Sequence, residues 1–255
     1  MKGIIRMVEH DFRNFFRYKW WLVGLISMNL ADLFVSALVY NTILKYTVTS
    51  AIGSYFNFFA PGLAVTGLFA SAFMIGREIN MERRREVHHY MLSLPMTRLE
   101  LAIGRVLSGG LRGMMYMSPL LLTCFIFVGF PTIWQLLLIL AVLFLLAVGI
   151  SGLSISIAVS TSSLERFITA RGAVYYVLFF CSTVFYPLTV IQSAGAELAA
   201  LAAINPLSGA SDMIRSILLP RFFSFSYLSI FYVAAFSGIF TFTAVFAYMK
   251  ILERR

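Results

Sequence analysis

The sequence predicts an all-α, polytopic membrane protein with six transmembrane helices, and three observations carry that prediction. Mean hydropathy is +0.87, and only 12% of the 255 residues are charged while 60% are hydrophobic; soluble domains use roughly 25% charged residues. Six apolar runs, each near the roughly 20 residues that a helix needs to cross a bilayer, leave no room for a sizeable soluble domain. The one long polar stretch, Arg77 to Arg105, lies between two of these runs. Residues 1–255 therefore read as a single transmembrane domain.

Residues 1–21 open it as an interfacial helix. Ile5, Val8, Phe12, Phe15 and Phe16 recur at three- and four-residue spacing, with Arg6, Glu9, Arg13 and Arg17 on another face. That pattern is an amphipathic helix lying on the membrane. Tyr18, Trp20 and Trp21 follow at headgroup level. So polar a start is not a cleavable signal, and the first apolar run leads straight into a span.

The first span is expected over residues 22–44. It carries Asn29 and Asp32, and a carboxylate at that depth costs on the order of 3 kcal/mol, so it faces the bundle or a wet cavity. Asp32 is either protonated, paired with an arginine such as Arg112, or part of a translocation path. The second span is expected over 56–76, the third over 106–129 with Gly109, Gly110 and Gly113 for close helix approach, the fourth over 135–159, the fifth over 173–191 with Pro187 late in it, and the sixth over 227–249. Between the last two, residues 192–226 are unusually apolar for a loop and read as short helices forming an outer re-entrant segment.

Charge orients the chain. Lys2, Arg6, Arg13, Arg17, Lys19, six arginines of the polar island, Arg166, Arg171, Lys250, Arg254 and Arg255 fall on one side, against Lys45, Arg215 and Arg221 on the other. An excess of Lys and Arg marks the cytoplasmic side, so both termini and the island are expected there, in the cell membrane. The formal charge of +9 is thus topological and implies no nucleic acid. Cys124 and Cys181 sit in apolar runs as small hydrophobes.

Chemistry of its own is not expected from this chain. It has no phosphate-binding glycine loop, so no catalytic or cofactor-binding residue is assigned. His88 and His89 are adjacent and point about 100° apart, which does not make a metal site. Gly149, Ser151 and Gly152 resemble the nucleophile motif of rhomboid proteases, but every histidine lies outside the spans, so packing between helices is the better account. In the island, Thr97 and Glu100 form a capping box for the helix entering the third span. Pro95 ends a short surface helix before it.

The segment RRREVHHYMLSLPMTRLELAIGR resembles the cytoplasmic loop of ABC-2 type transporter permeases at Arg85, Leu92, Pro95, Arg98, Glu100, Gly104 and Arg105, with Glu86 and His89 standing where that family has other residues. Phe185, Tyr186, Pro187 and Leu188, then Asn205, Pro206 and Leu207, then Asp212 and Arg215 are similar to the block that brackets the family's outer segment. With six spans and an amphipathic start, the likeness covers nearly the whole chain.

The resemblance implies a half-transporter: the permease subunit of an exporter, paired with a second copy or a related permease and driven by a separate cytoplasmic ATPase that holds ATP and Mg. Residues 77–105 would be the coupling loop, with Arg84, Arg85, Glu86, His89, Tyr90, Leu92, Pro95 and Arg98 meeting the ATPase. Asn29, Asp32, Phe185, Tyr186, Pro187, Asn205 and Pro206 would line the path or its gate, and the cargo would be amphipathic, lipid-like or drug-like. Two other readings stand beside it: a polytopic enzyme acting on lipid, for which Asn29, Asp32 and Arg112 are too thin a cluster, and a membrane anchor for an ATPase without transport.

Overall fold

The computed structural model describes residues 2–17, 20, 23–24, 26–28, 30–31, 34–35, 55–85, 96–221, 223–224 and 226–253. Among them the chain is nearly all helical and has no strand. Ten helices follow in order: α1 (Lys2–Arg17), α2 (Tyr55–Ala72), α3 (Met74–Arg84), α4 (Arg98–Val128), α5 (Ile133–Ser160), α6 (Leu164–Phe180), α7 (Leu188–Ala194), α8 (Ala196–Ile204), α9 (Pro206–Leu218) and α10 (Tyr227–Glu253).

Four of the described helical segments are long and apolar enough to cross a membrane: α2 with α3, then α4, α5 and α10. They correspond to the second, third, fourth and sixth expected spans. The first lies largely outside the described residues. The fifth differs from expectation: α6 has 17 residues and ends at Phe180, so Arg166 and Arg171 are on the helix and Pro187 opens the next one. The residue before a proline is driven out of the helical region. The side-chain amide of Asn205 donates to the carbonyls of Leu178 and Cys181 at 2.8 and 2.7 Å, which satisfies the freed end of α6.

The third span starts earlier than hydropathy suggests. α4 runs 31 residues from Arg98, roughly 46 Å at about 1.5 Å per residue, so it extends well past a hydrocarbon core of about 30 Å. Its first turn is the expected capping box. Thr97 Oγ1 accepts from the Glu100 backbone N–H at 3.2 Å, and the Thr97 N–H donates to Glu100 Oε2 at 3.2 Å. The described parts of the polar island are thus mostly helical and continue the second and third spans.

Small residues set the helix spacing. A Cβ at Gly109 of α4 would stand 2.3 Å from Ser151 Oγ, and one at Gly152 of α5 would stand 2.5 Å from the Phe240 carbonyl of α10. Gly149, Ser151 and Gly152 therefore serve packing, as the sequence suggested. α2 is buried along nearly its whole length and passes to α3 through a single turn residue, Phe73. There the Ser154 hydroxyl of α5 donates to the Phe73 carbonyl and accepts from the Gly76 N–H.

Of the expected outer segment, residues 192–226, the described part forms short helices. α9 is largely buried and packs on α10, α2 and α5.

Candidate functional site

Two buried networks of charge sit at opposite ends of the bundle. Glu78 of one and Phe58 of the other lie twenty residues apart on the α2–α3 segment, roughly 30 Å of helix, the thickness of a hydrocarbon core.

The first network lies at the end that carries α1 and the approach to residues 86–95. On α3, Glu78 and Glu82 are one turn apart and share a face; on α4, Arg105 and Arg112 are two turns apart and share a face. Arg105 is fully buried. Its guanidinium donates to Asp11 Oδ1 at 2.8 Å and to Glu82 Oε2. Arg112 donates to Glu78 Oε1 and, at 2.9 Å, to the backbone carbonyl of Asp11. Glu78 thus supplies a carboxylate to Arg112, while Asp32, the other candidate, lies outside the described residues. Tyr248 of α10, also buried, lies beside Arg105.

α1 reaches this network through a face other than its stripe of large apolar residues. Gly3, Met7 and Asp11, spaced by four, are buried, while Ile5 is 66% exposed. A Cβ at Gly104 of α4 would stand 2.9 Å from Met7 Cβ, so the glycine lets the two helices close on each other. Hydropathy alone had turned Ile5, Val8 and Phe12 toward the membrane. The contact with α4 is decided instead by the ion pair and the two glycines.

Electrostatics tune the groups on α1. Burial pushes the Asp11 carboxyl up, but the Arg105 guanidinium, the His10 ring and Arg112 outweigh it and hold the carboxyl below its usual range. His10 Nδ1 lies 3.5 Å from Asp11 Oδ1, and that contact raises the imidazole above its ordinary value. Nearby, Arg83 of α3 donates to the carbonyls of Val159 and Thr161 at 3.3 and 2.7 Å, capping the end of α5 with a cation.

Of the expected coupling residues, Arg84, Arg85 and Arg98 are exposed at the facing ends of α3 and α4. Glu86, His89, Tyr90, Leu92 and Pro95 lie outside the described residues, as do Asn29 and Asp32.

The second network holds the outer helices to the bundle. Arg215 of α9 is fully buried. It donates to the carbonyls of Phe58, Thr183 and Val184 at 2.9, 2.8 and 2.9 Å and to Asp212 Oδ1 at 2.7 Å, and its guanidinium stacks 3.7 Å over the Phe58 ring. The Tyr55 hydroxyl donates to the Phe185 carbonyl at 2.9 Å. Asn205, which caps α6, also accepts from the Leu207 N–H at 3.0 Å and so starts α9. Among the expected gate residues, Asn205 and Pro206 are buried in this latch, Phe185 packs among aromatic rings, and Tyr186 is exposed. Asp11, Glu78, Glu82, Arg105 and Arg112 were not expected to form one cluster; their i+4 and i+7 spacings were the available signal.

The profile of the family described as ABC-2 type transporter matches residues 4–219, which takes in both networks. No curated protein matches the chain.

Proposed function

From the premise that this chain belongs to the ABC-2 type transporter family, and is thus the membrane component of an ABC transporter, we propose that it is an exporter subunit driven through residues 77–105 by a separate ATPase. Permeases of this family work with an ATPase subunit. ATP and Mg would be held there. The chain would work with a second copy of itself or a related permease, both termini in the cytoplasm, and move an amphipathic, lipid-like or drug-like cargo outward.

The observation that carries this reading is the buried ionic cluster that joins α1, α3 and α4. Arg105 of α4 joins Asp11 of α1 to Glu82 of α3, so these three helices are tied into one body. Force applied at Arg84, Arg85, Glu86, His89, Tyr90, Leu92, Pro95 or Arg98 would move α1, α3 and α4 together rather than bend one of them. That body continues into α2 past Phe73, and so toward the latch that anchors α9 and the turn before Pro187. The path would run along the first, second and fifth spans, with Asn29 and Asp32 inside it and Phe185, Tyr186, Pro187, Asn205 and Pro206 at its outer closure.

Replacing Glu86, Tyr90 and Leu92 together with alanine tests the coupling. The variant should reach the membrane and leave the partner's ATP hydrolysis intact while export of cargo falls to background. Wild-type export by that variant would refute the assignment.

A further inference from the structure

α4 and α5 touch along one part of their length and leave a gap along another. Near the middle of α4 the contact is set by glycines: a Cβ at Gly110 would stand 2.9 Å from Val148 Cγ2, and one at Gly113 would stand 3.5 Å from Ala147 Cβ. Toward the turn that joins the helices, the same face of α4 carries the long side chains of Met117, Leu121 and Phe125. On α5, Leu140 and Leu136 follow at four-residue steps from Val148 through Phe144, so they face the same way. Between these two rows lies a cavity of about 740 Å³. Phe130 and Pro131 close its end, with the Phe130 ring 6.2 Å from that of Phe125.

The chemistry of the cavity is dry. Pro119 lies inside α4 and cannot donate to the carbonyl four residues back, that of Met115. Ser118 Oγ donates to that carbonyl at 2.7 Å, and Thr123 Oγ1 donates to the carbonyl of Pro119 at 2.9 Å. The backbone group that the proline frees is thus satisfied within the helix. From Gly113 to Leu164 the sequence has no Asp, Glu, Lys, Arg or His, so nothing along the walls calls for an ion or a charged headgroup. Met114, Met115 and Met117 line the deep end, and their flexible thioethers mould to an irregular apolar shape.

Its dimensions select the occupant. The floor from Met114 to Phe125 extends roughly 16 Å along the helix, about half of a hydrocarbon core of about 30 Å, and so spans one leaflet. Spread over that length, the volume gives a cross-section of roughly 45 Å², whereas a helix about 10–12 Å across needs on the order of 80 Å² or more. A span from a second copy is therefore too wide for it, and a slender hydrocarbon tail is not. The described part of the first span is on another side at this level: Phe34 meets Phe56 and Phe127 with ring centroids 6.4 and 6.1 Å apart, and Phe127 stands about 200° around α4 from Phe125. At the mouth, Trp134 is 79% exposed, an aromatic ring suited to the headgroup level.

We propose that the cleft between α4 and α5 holds an acyl tail of a membrane lipid, laid along Met117, Leu121 and Phe125 with its headgroup at the level of Trp134, as a fixed part that fills the gap between the two helices. Dispersion contacts that are individually small add up along such a tail, and they set it apart from the lipid that merely surrounds the bundle. Recognition is of the tail, so the charge of the headgroup is immaterial. The site needs only that α4 and α5 cross the membrane; neither cargo nor ATPase enters it.

The full chain is reconstituted in phosphatidylcholine vesicles containing a trace of phosphatidylcholine with a diazirine near the end of one tail, illuminated, and mapped by peptide mass spectrometry. Adducts at Met114, Met117 and Leu121 should exceed those at Phe242 and Phe246 of α10, which are 73% and 60% exposed, by about 10-fold, the ratio that a preference of about 1.4 kcal/mol gives. A phosphatidylglycerol probe with the same tail should label the cleft equally. Leu122→Trp, at the exposed rim, should fill the cleft and bring its adducts down to the α10 level without lowering the melting temperature, while Phe246→Trp should leave them unchanged. Equal labelling of the cleft and of α10 in the wild-type chain would show ordinary solvation by lipid and overturn the site, and that comparison needs no variant to fold. Labelling that follows headgroup charge would overturn it too, as would a disulfide between two copies formed only in Leu122→Cys with the cleft unlabelled. The readout involves neither ATPase nor transport, so failure of the coupling assignment and failure of this site are told apart.

Discussion

Asp11 and Arg105 offer the sharpest test of how α1 is attached. Their atoms are 2.8 Å apart and their side chains 1% and 0% exposed. At an effective dielectric of about 20 the attraction at that distance is roughly 6 kcal/mol before desolvation is subtracted. Removing one partner of a buried pair typically costs about 3–5 kcal/mol, because the other is left charged in a place that water does not reach. Arg105→Met should therefore destabilise the chain by about that amount, since it strands both Asp11 and Glu82. Asp11→Ala should cost less, because Arg105 keeps Glu82 and Arg112 keeps Glu78. The double variant should be no worse than Arg105→Met alone, giving a coupling of about 2 kcal/mol or more between the two sites. Denaturant unfolding of the four proteins in detergent measures the cycle, and amide exchange of residues 2–17 reports whether α1 is released. Additive effects, with coupling below about 0.5 kcal/mol, would mean that the pair does not hold α1 to the bundle.

Two further perturbations follow from the same geometry. His10 is raised above its usual 6.5, so its contribution is complete below that value and is lost as pH rises through the elevated one. Asp11 is lowered from 3.8, so its contribution is complete above 3.8 and is lost as pH falls through the depressed one. Melting temperature should therefore decline as pH rises above 6.5, and His10→Gln should remove that decline; a His10→Gln profile parallel to wild type would count against the contact. At the other end, Arg215→Leu removes the donor to three carbonyls that α9 holds and leaves Asp212 without its arginine. It should cost about 3–5 kcal/mol and raise amide exchange in residues 181–186; protection equal to wild type would show that α9 is held some other way.

Local features were legible in the sequence because their causes are local. Thr97 and Glu100 are three residues apart, and a capping box needs nothing from elsewhere. Gly149, Ser151 and Gly152 announced close packing because a missing Cβ is a property of the residue itself. Spans two, three, four and six were legible as well, since a run of apolar residues has few places to go but lipid or core. Hydropathy averages over a window, however, and so Glu78, Glu82 and Arg105 were read with the rest of the island as water-facing, although they point inward. The break in the fifth span was hidden for a related reason: Pro187 was visible, but the group that caps Leu178 is Asn205, 27 residues on.

Composition and periodicity determined that the chain is helical and bilayer-filling, where most of the described spans lie and that the polar island joins two of them. Only the tertiary structure decided which charges neutralise one another. Asp11 and Arg105 are 94 residues apart, and no repeat in the sequence links them. Once buried, though, neither can remain charged without a partner, and that demand draws α1, α3 and α4 into one unit.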